Sequence, residues 1–365
     1  MELGSGSLES LGMNGEFWSQ RRVFVTGHTG FKGSWLSLWL QEVGAKVHGF
    51  AMPPPTEPNL FTVAGIQAGM AGHTVGDIRD LALLTDAMRS ARPEIVLHLA
   101  AQPLVRYSYA NPLETHSVNV LGTVNLMEAM RAVETVRVAI NVTTDKCYEN
   151  REWFWGYREN EPLGGRDPYS SSKACSELIT ASYRDSFFDA SGLSVSTARA
   201  GNVVGGGDWA VDRLLPDVFR AVLNGQVLKV RHPEATRPWQ HVLEPLSGYL
   251  LLAERMYAGG RPVAGAWNFG PRNEDARSVR WVLDYLSSKL PSVKWSPLED
   301  NQSHEANYLK LDISKASVQL GWEPRWHLAC ALDKTLEWYT AWSRGLDVRA
   351  LSLAQIHAYQ SADLG

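Results

Sequence analysis

The chain has 365 residues, 44% hydrophobic and 20% charged, which suits two globular lobes or one large α/β unit and excludes a disordered, collagen-like or disulfide-scaffold protein. Its 35 basic and 39 acidic side chains leave a net charge of -4, without the basic domain or stripe that nucleic-acid binding needs. No run approaches the roughly 18 consecutive apolar residues of a spanning helix.

Residues 1–20 open with MELGSGSLES and carry no basic segment leading into an apolar core. They read as a flexible or artificially appended extension rather than a secretory signal. Cys147, Cys175 and Cys330 are odd in number and lack metal-ligand spacing, so no disulfide and no metal site is expected, and the chain reads as cytoplasmic.

Over residues 21–200 short β-branched runs alternate with stretches of helical period. Strands are predicted at 23–26, 46–50, 95–101, 137–144 and 193–199, with a weaker one ending near Val75. Helices are predicted at 33–43, 81–90, 115–133 and 170–186. The class is α/β with a parallel, doubly wound sheet, because unbroken apolar runs such as Ile95-Val96-Leu97 need cover on both faces. Beyond Ala200 the rhythm breaks at GNVVGGGDW, RHPEATRPWQHV and GPRNEDARSV, and residues 201–365 are expected to form mainly a smaller α/β lobe, some segments returning to the first. Helices are expected there at 241–257 and 277–289.

The run Val23-Phe24-Val25-Thr26 leads into Gly27-His28-Thr29-Gly30-Phe31-Lys32-Gly33 and then a helix. Glycines at this spacing let the backbone turn tightly and approach a pyrophosphate seated at the helix start, the fingerprint of dinucleotide binding. An acid at the end of the second strand would hold an adenosine ribose, but the chain reads Val47-His48-Gly49-Phe50-Ala51 there. NAD and NADP are not distinguished by this position; His48 is a candidate ribose contact or a packing histidine.

Tyr169 and Lys173 lie four apart after Pro168, which puts phenol and ammonium on one helix face. A neighbouring ammonium favours the phenolate, so the pair is expected to lower the tyrosine pKa and suit it to take a hydroxyl proton. Thr143-Thr144 ends a predicted strand 25 residues earlier.

The ordered motifs TGHTGFKG, HLAAQ, TTDK and YSSSK resemble the extended short-chain dehydrogenase/reductase family over nearly the whole chain from Arg21. The resemblance implies a Rossmann-type NAD-binding domain followed by a lobe that binds a nucleotide sugar. It implies a triad in which Thr144 steadies a substrate oxygen, Tyr169 is the base and Lys173 also binds the nicotinamide ribose. By the same likeness Gly27, Thr29, Gly30, Phe31, Lys32, Asp77, Ile78, Leu99, Ala100, Ala101, Gln102 and Asn119 would contact the cofactor.

Asp145-Lys146 narrows the likeness to the nucleotide-sugar 4,6-dehydratases, which carry an acid directly after the threonine, usually Asp-Glu. Water loss needs an acid for the leaving hydroxyl, a part that falls to Asp145, and a base for the C5 proton. Lys146 departs from Asp-Glu: it is a base of lowered pKa, a cation that stabilises the enolate, or a surface lysine paired with Asp145 or Glu149. Together with MPPPTEPNLF, GNVVGGGDW, DRLLPD and RPWQHV, the Thr-Asp-Lys run resembles the branch acting on CDP-glucose.

Substrate contacts implied by the likeness are Gln102, Arg106 with Tyr107, Thr144, Asn202, Leu214, Leu215, Asp217, Asn307 and Tyr308, with Arg237 as a guanidinium fork for diphosphate. The family habit further implies a homodimer or homotetramer paired through helices 115–133 and the one after Tyr169, and a place in cell-surface dideoxysugar synthesis. A stripe of Val120, Val124 and Met127 serves either that contact or the core. The other readings are a 4-epimerase, a dehydratase of another nucleotide sugar, and an NAD(H)-binding regulator without turnover.

Overall fold

The computed structural model describes residues 15–298 and 308–362. Seven parallel strands form the central sheet: β1 (Arg22–Thr26), β2 (Lys46–Ala51), β3 (Gly72–Val75), β4 (Ile95–His98), β5 (Val138–Val142), β6 (Ser194–Arg199) and β7 (Ala266–Asn268). Their spatial order is β7-β6-β5-β4-β1-β2-β3. The order reverses between β1 and β4, the crevice where doubly wound sheets bind ligands.

Alternate residues of each strand enter different layers. Val23, Val25, Ile95, Leu97, Val138 and Ile140 pack on one face with α1 (Phe31–Glu42) and with side chains of α6, α8 and α9, which follow below. Phe24, Val96, Ala139 and Val195 pack on the other, against α2 (Leu81–Ala91) and α3 (Gly122–Arg131). The helix α4 (Pro168–Tyr183) meets the sheet through polar atoms instead. Asn141 donates to the hydroxyls of Ser176 at 2.9 Å and Thr180 at 2.8 Å.

Beyond β6 the chain forms α5 (Leu214–Leu223), α6 (Leu243–Gly259), α7 (Val279–Lys289), α8 (Leu328–Ser343) and α9 (Val348–Gln360). Of these, only α6 and α7 were expected; Pro216, in the first turn of α5, masked that helix, although proline is tolerated at a helix start. The strand β7 is a three-residue return from the second half, too short to carry a period.

The expected strands at 95–101 and 137–144 stop early, at His98 and Val142. The Thr26 hydroxyl takes up the N–H groups of Leu99 and Ala100, both at 3.2 Å, and Thr144 opens a tight helical turn. Met127 is fully buried in the core while Val120 and Val124 are half-buried, so the stripe faces inward at Met127.

Candidate active site

A cavity of about 1100 Å³ opens at the carboxyl ends of β1, β4, β5 and β6. Its floor is the glycine loop. Gly27 adopts φ +73°, and a Cβ there would lie 2.6 Å from the amide nitrogen of Ala100, so only glycine fits. A Cβ on Gly33 would collide with the Gly27 carbonyl, whereas Gly30 meets nothing nearer than 3.4 Å. No side chain caps α1 at Gly30, so its first-turn N–H groups are available to an anion. This cradle fits a dinucleotide pyrophosphate.

Thr26 and His98, which open two of the motifs but were not named as site residues, fix the two strand ends beside the loop: their side chains hydrogen-bond at 2.6 Å. Burial draws the His98 pKa down to about 3, which keeps the ring neutral. Thr26→Val should orphan these groups and cost about 1–3 kcal/mol, read as a lower urea midpoint; an unchanged midpoint would show that water or the backbone replaces the hydroxyl.

Thr29, Gly30, Phe31, Lys32, Asp77, Ile78, Leu99, Ala100, Ala101 and Gln102 all line the cavity. Two expected cofactor contacts do not. His48 sits mid-strand, paired in register with Phe24 and Gly72, and β2 runs on to Ala51 before it reaches the cavity. Asn119 is buried behind the wall, accepting from the Gln102 N–H at 2.9 Å and donating to the Ser172 hydroxyl at 2.9 Å. It clamps the β4 loop to α4 instead of lining the site.

The reacting groups converge at the ends of β5 and α4. Asp167 accepts from the Ser170 N–H at 2.9 Å and Pro168 starts the helix, which sets Tyr169 in the first turn and Lys173 one turn on. The Thr144 side chain acts on the Tyr169 phenol, and Thr144 Oγ1 donates to Asp145 Oδ1 at 3.0 Å. Asp145 is 1% exposed, and its Oδ2 has no hydrogen-bond partner among the described residues. A Cβ on Gly201 would collide with that carboxylate, so the glycine after β6 makes its room. Lys146 lines the cavity, half-buried, and Glu149 pairs with Arg151 instead.

The charge environment corrects one expectation. Burial pushes the Tyr169 pKa up to about 12, and the negative Asp145 adds to it, while Thr144 and the Arg213 guanidinium pull the other way. Lys173 lies one turn further along α4. Its ammonium donates to the Val142 carbonyl at 3.2 Å, and burial lowers its pKa to about 8 against the pull of Glu177. Lys32 falls to about 7 through burial and the positive charge of Arg213, opposed by Asp145 and Asp208.

On the far side Arg106, Tyr107, Asn202, Leu214, Leu215, Asp217 and Arg237 line the cavity. Asp208, Asp212, Arg213 and Arg231 were not singled out from the sequence; Asp208 lies in GNVVGGGDW, Asp212 and Arg213 in DRLLPD and Arg231 at the head of RHPEATRPWQHV, where no spacing marks an individual charge. Tyr308 is not in the lining: it bridges Thr236 and donates to the Phe154 carbonyl at 3.2 Å. It was expected to close over a nucleotide, but pairing with the Thr236 segment turns it to the loop outside. Asn307 lies outside the described residues.

The profile of the family described as GDP-mannose 4,6 dehydratase matches residues 24–335. The chain is 52% identical over 352 residues to the CDP-glucose 4,6-dehydratase of Salmonella typhimurium, covering 95% of this chain and 98% of that one. It is 29% identical over 346 residues to a dTDP-glucose 4,6-dehydratase of Xanthomonas campestris, covering 88% and 95%. Among solved structures, a Stenotrophomonas maltophila UDP-glucose-4-epimerase with bound NAD and formylated UDP-arabinopyranose aligns with TM-score 0.77 at 22% identity, covering 89% and 100%. The dTDP-glucose 4,6-dehydratase of Bacillus anthracis in complex with NAD aligns with TM-score 0.73 at 21% identity, covering 91% and 99%.

Proposed function

The chain belongs to the GDP-mannose 4,6 dehydratase family, and from that membership we propose that it converts CDP-glucose to CDP-4-keto-6-deoxyglucose with a retained, recycled NAD. The observation that carries this reading is the buried Asp145 carboxylate beside Thr144 and Tyr169, joined to the 52% identity with a CDP-glucose 4,6-dehydratase.

The glycine loop, the uncapped start of α1, Asp77 and Ile78 would hold the dinucleotide. Bound NAD supplies a hydride store, so oxidation at C4 and reduction at C6 cancel and only water is lost. Tyr169 takes the proton of the C4 hydroxyl, and Thr144 holds the oxygen that becomes the carbonyl. Lys173 would hold the nicotinamide ribose. The 4-ketone acidifies C5–H. Asp145 delivers a proton to the departing C6 hydroxyl, its uncommitted Oδ2 being the atom for the task. Lys146, next in the turn, serves C5 as a base or by stabilising the enolate.

Mass and NMR analysis after mixing the protein with NAD and, separately, CDP-glucose and dTDP-glucose tests this. Loss of one water from the CDP sugar, with hydrogen moved from C4 to C6, is expected; intact sugars in both tubes would overturn the reading. In Asp145→Asn, water loss should fall about 10²–10⁴-fold while single-turnover oxidation at C4 survives as a cofactor absorbance change. Unimpaired dehydration by that variant would remove Asp145 from the role of acid.

Further parts of the reading concern setting. Leu113, Leu121, Leu178 and Phe187, 85%, 48%, 59% and 42% exposed, lie on the helical stretches around α3 and α4, and their exposure supports pairing of copies through those helices as a dimer or tetramer. The three unpaired cysteines suit the cytoplasm. The product suits a precursor of cell-surface dideoxysugars, O-antigen included.

A further inference from the structure

The cavity continues past Tyr169 as a chain of charges and then turns apolar. Arg213, paired with Asp208 at 2.9 Å, bears on the phenol. Asp212 joins Arg106 at 2.6 Å to Arg231 at 3.7 Å. Asp212 and Arg231 in turn are close enough to Asp217 to act on its carboxyl. The same cavity is lined by Leu214 and Leu215, of the turn that carries Asp217, and by Leu228, Val230 and Leu298. Proton-transfer groups, guanidiniums and apolar walls in one cavity suit the three parts of a nucleotide sugar: sugar, diphosphate and flat base.

Asp217 is the carboxylate that the first turn of α5 brings to this cavity. Its Oδ1 is held by Arg220, whose guanidinium is anchored in turn on the carbonyls of Trp209 at 2.7 Å and Ala210 at 3.1 Å. Oδ2 accepts no hydrogen bond among the described residues. Burial and the like charge of Asp212 raise its pKa, against the pull of Arg220 and Arg231.

We propose that Asp217 selects the base by accepting a hydrogen bond from the exocyclic amine of cytosine. The inference rests on the nucleotide-sugar reading above and goes beyond it in naming the residue that reads the base. An ionised carboxylate only accepts, and cytosine N4 offers a donor. Uracil and thymine carry a carbonyl oxygen at the same place, which would set acceptor against acceptor in a partly buried recess. Asparagine, able to turn either its carbonyl or its NH₂ to the ligand, does not discriminate in this way.

The test is calorimetric titration of wild-type holoenzyme and Asp217→Asn with CDP and with UDP, alongside kcat and KM for CDP-glucose and UDP-glucose. Wild type should favour CDP. The variant should lose about ten- to hundredfold of that preference, in affinity and KM, with kcat on CDP-glucose nearly kept. An unchanged CDP-to-UDP affinity ratio in a variant of wild-type melting temperature would overturn the assignment. The two readings fail separately: a wild type that binds CDP selectively through Asp217 but dehydrates no sugar refutes the proposed reaction alone. A wild type that dehydrates CDP-glucose, with selectivity indifferent to Asp217, refutes this inference alone.

Discussion

Tyr169→Phe is expected to lower turnover of CDP-glucose by about 10²–10⁴-fold, the usual worth of a positioned proton-transfer group, while the melting temperature stays near that of the wild type. The phenol is buried, and that burial pushes its pKa up to about 12. The charge of Arg213, which arrives from the second half of the chain and is itself fixed by Asp208, favours its ionised form. Loss of that hydroxyl removes the acceptor of the C4 proton but no packing atom of the core. Steady-state rates measure the effect; a variant within threefold of wild type, an order of magnitude short of the expected loss, would show that another group takes the proton.

Glu177→Ala is expected to cost about 3–5 kcal/mol of stability, because it leaves the Arg199 guanidinium buried without its counter-charge. Both side chains are 3% exposed. Glu177 accepts from Arg199 Nε at 3.0 Å and Nη2 at 2.8 Å, from the Thr197 hydroxyl at 2.7 Å, and from Thr143. Arg199 donates onward to the Tyr148 hydroxyl at 2.7 Å and the Glu159 carbonyl at 3.1 Å. The pair therefore ties α4, one turn beyond Lys173, to both flanks of the Thr144-Asp145-Lys146 turn. Chemical denaturation reads the loss. Replacing Glu177 and Arg199 together by methionine should recover part of it, since no charge is then stranded; a loss below about 1 kcal/mol in the single variant would mean that Arg199 re-pairs, with Glu159 the nearest candidate.

The fold class and the five strands placed between 23 and 199 were legible because each rests on local physics: apolar runs covered on both faces, and glycines where the backbone must turn. The same holds for the glycine loop and for Tyr169 with Lys173, whose helical spacing brings them to one face without help from the rest of the chain. The strand ends were less legible, since Leu99 and Ala100 leave the ladder for a hydroxyl on a neighbouring strand. His48 lies mid-strand in β2, in register with Phe24 and Gly72 and outside the cavity lining, which is the packing alternative of its two readings.

By itself the sequence determined a parallel α/β sheet, a dinucleotide cradle at its first turn, and a Thr-Asp-Lys and Tyr-Lys set suited to oxidation and elimination. Only the tertiary structure decided which charges those groups feel. It brought the charge of Arg213 to bear on the phenol and set Gly201 against Asp145, and it turned Asn119 away from the cavity and brought Asp217 into its lining. The physical reason is range. Helix period and turn chemistry act over a few residues and leave a mark in the sequence, whereas an electrostatic environment is assembled from residues far apart in the chain, each unremarked in its own segment.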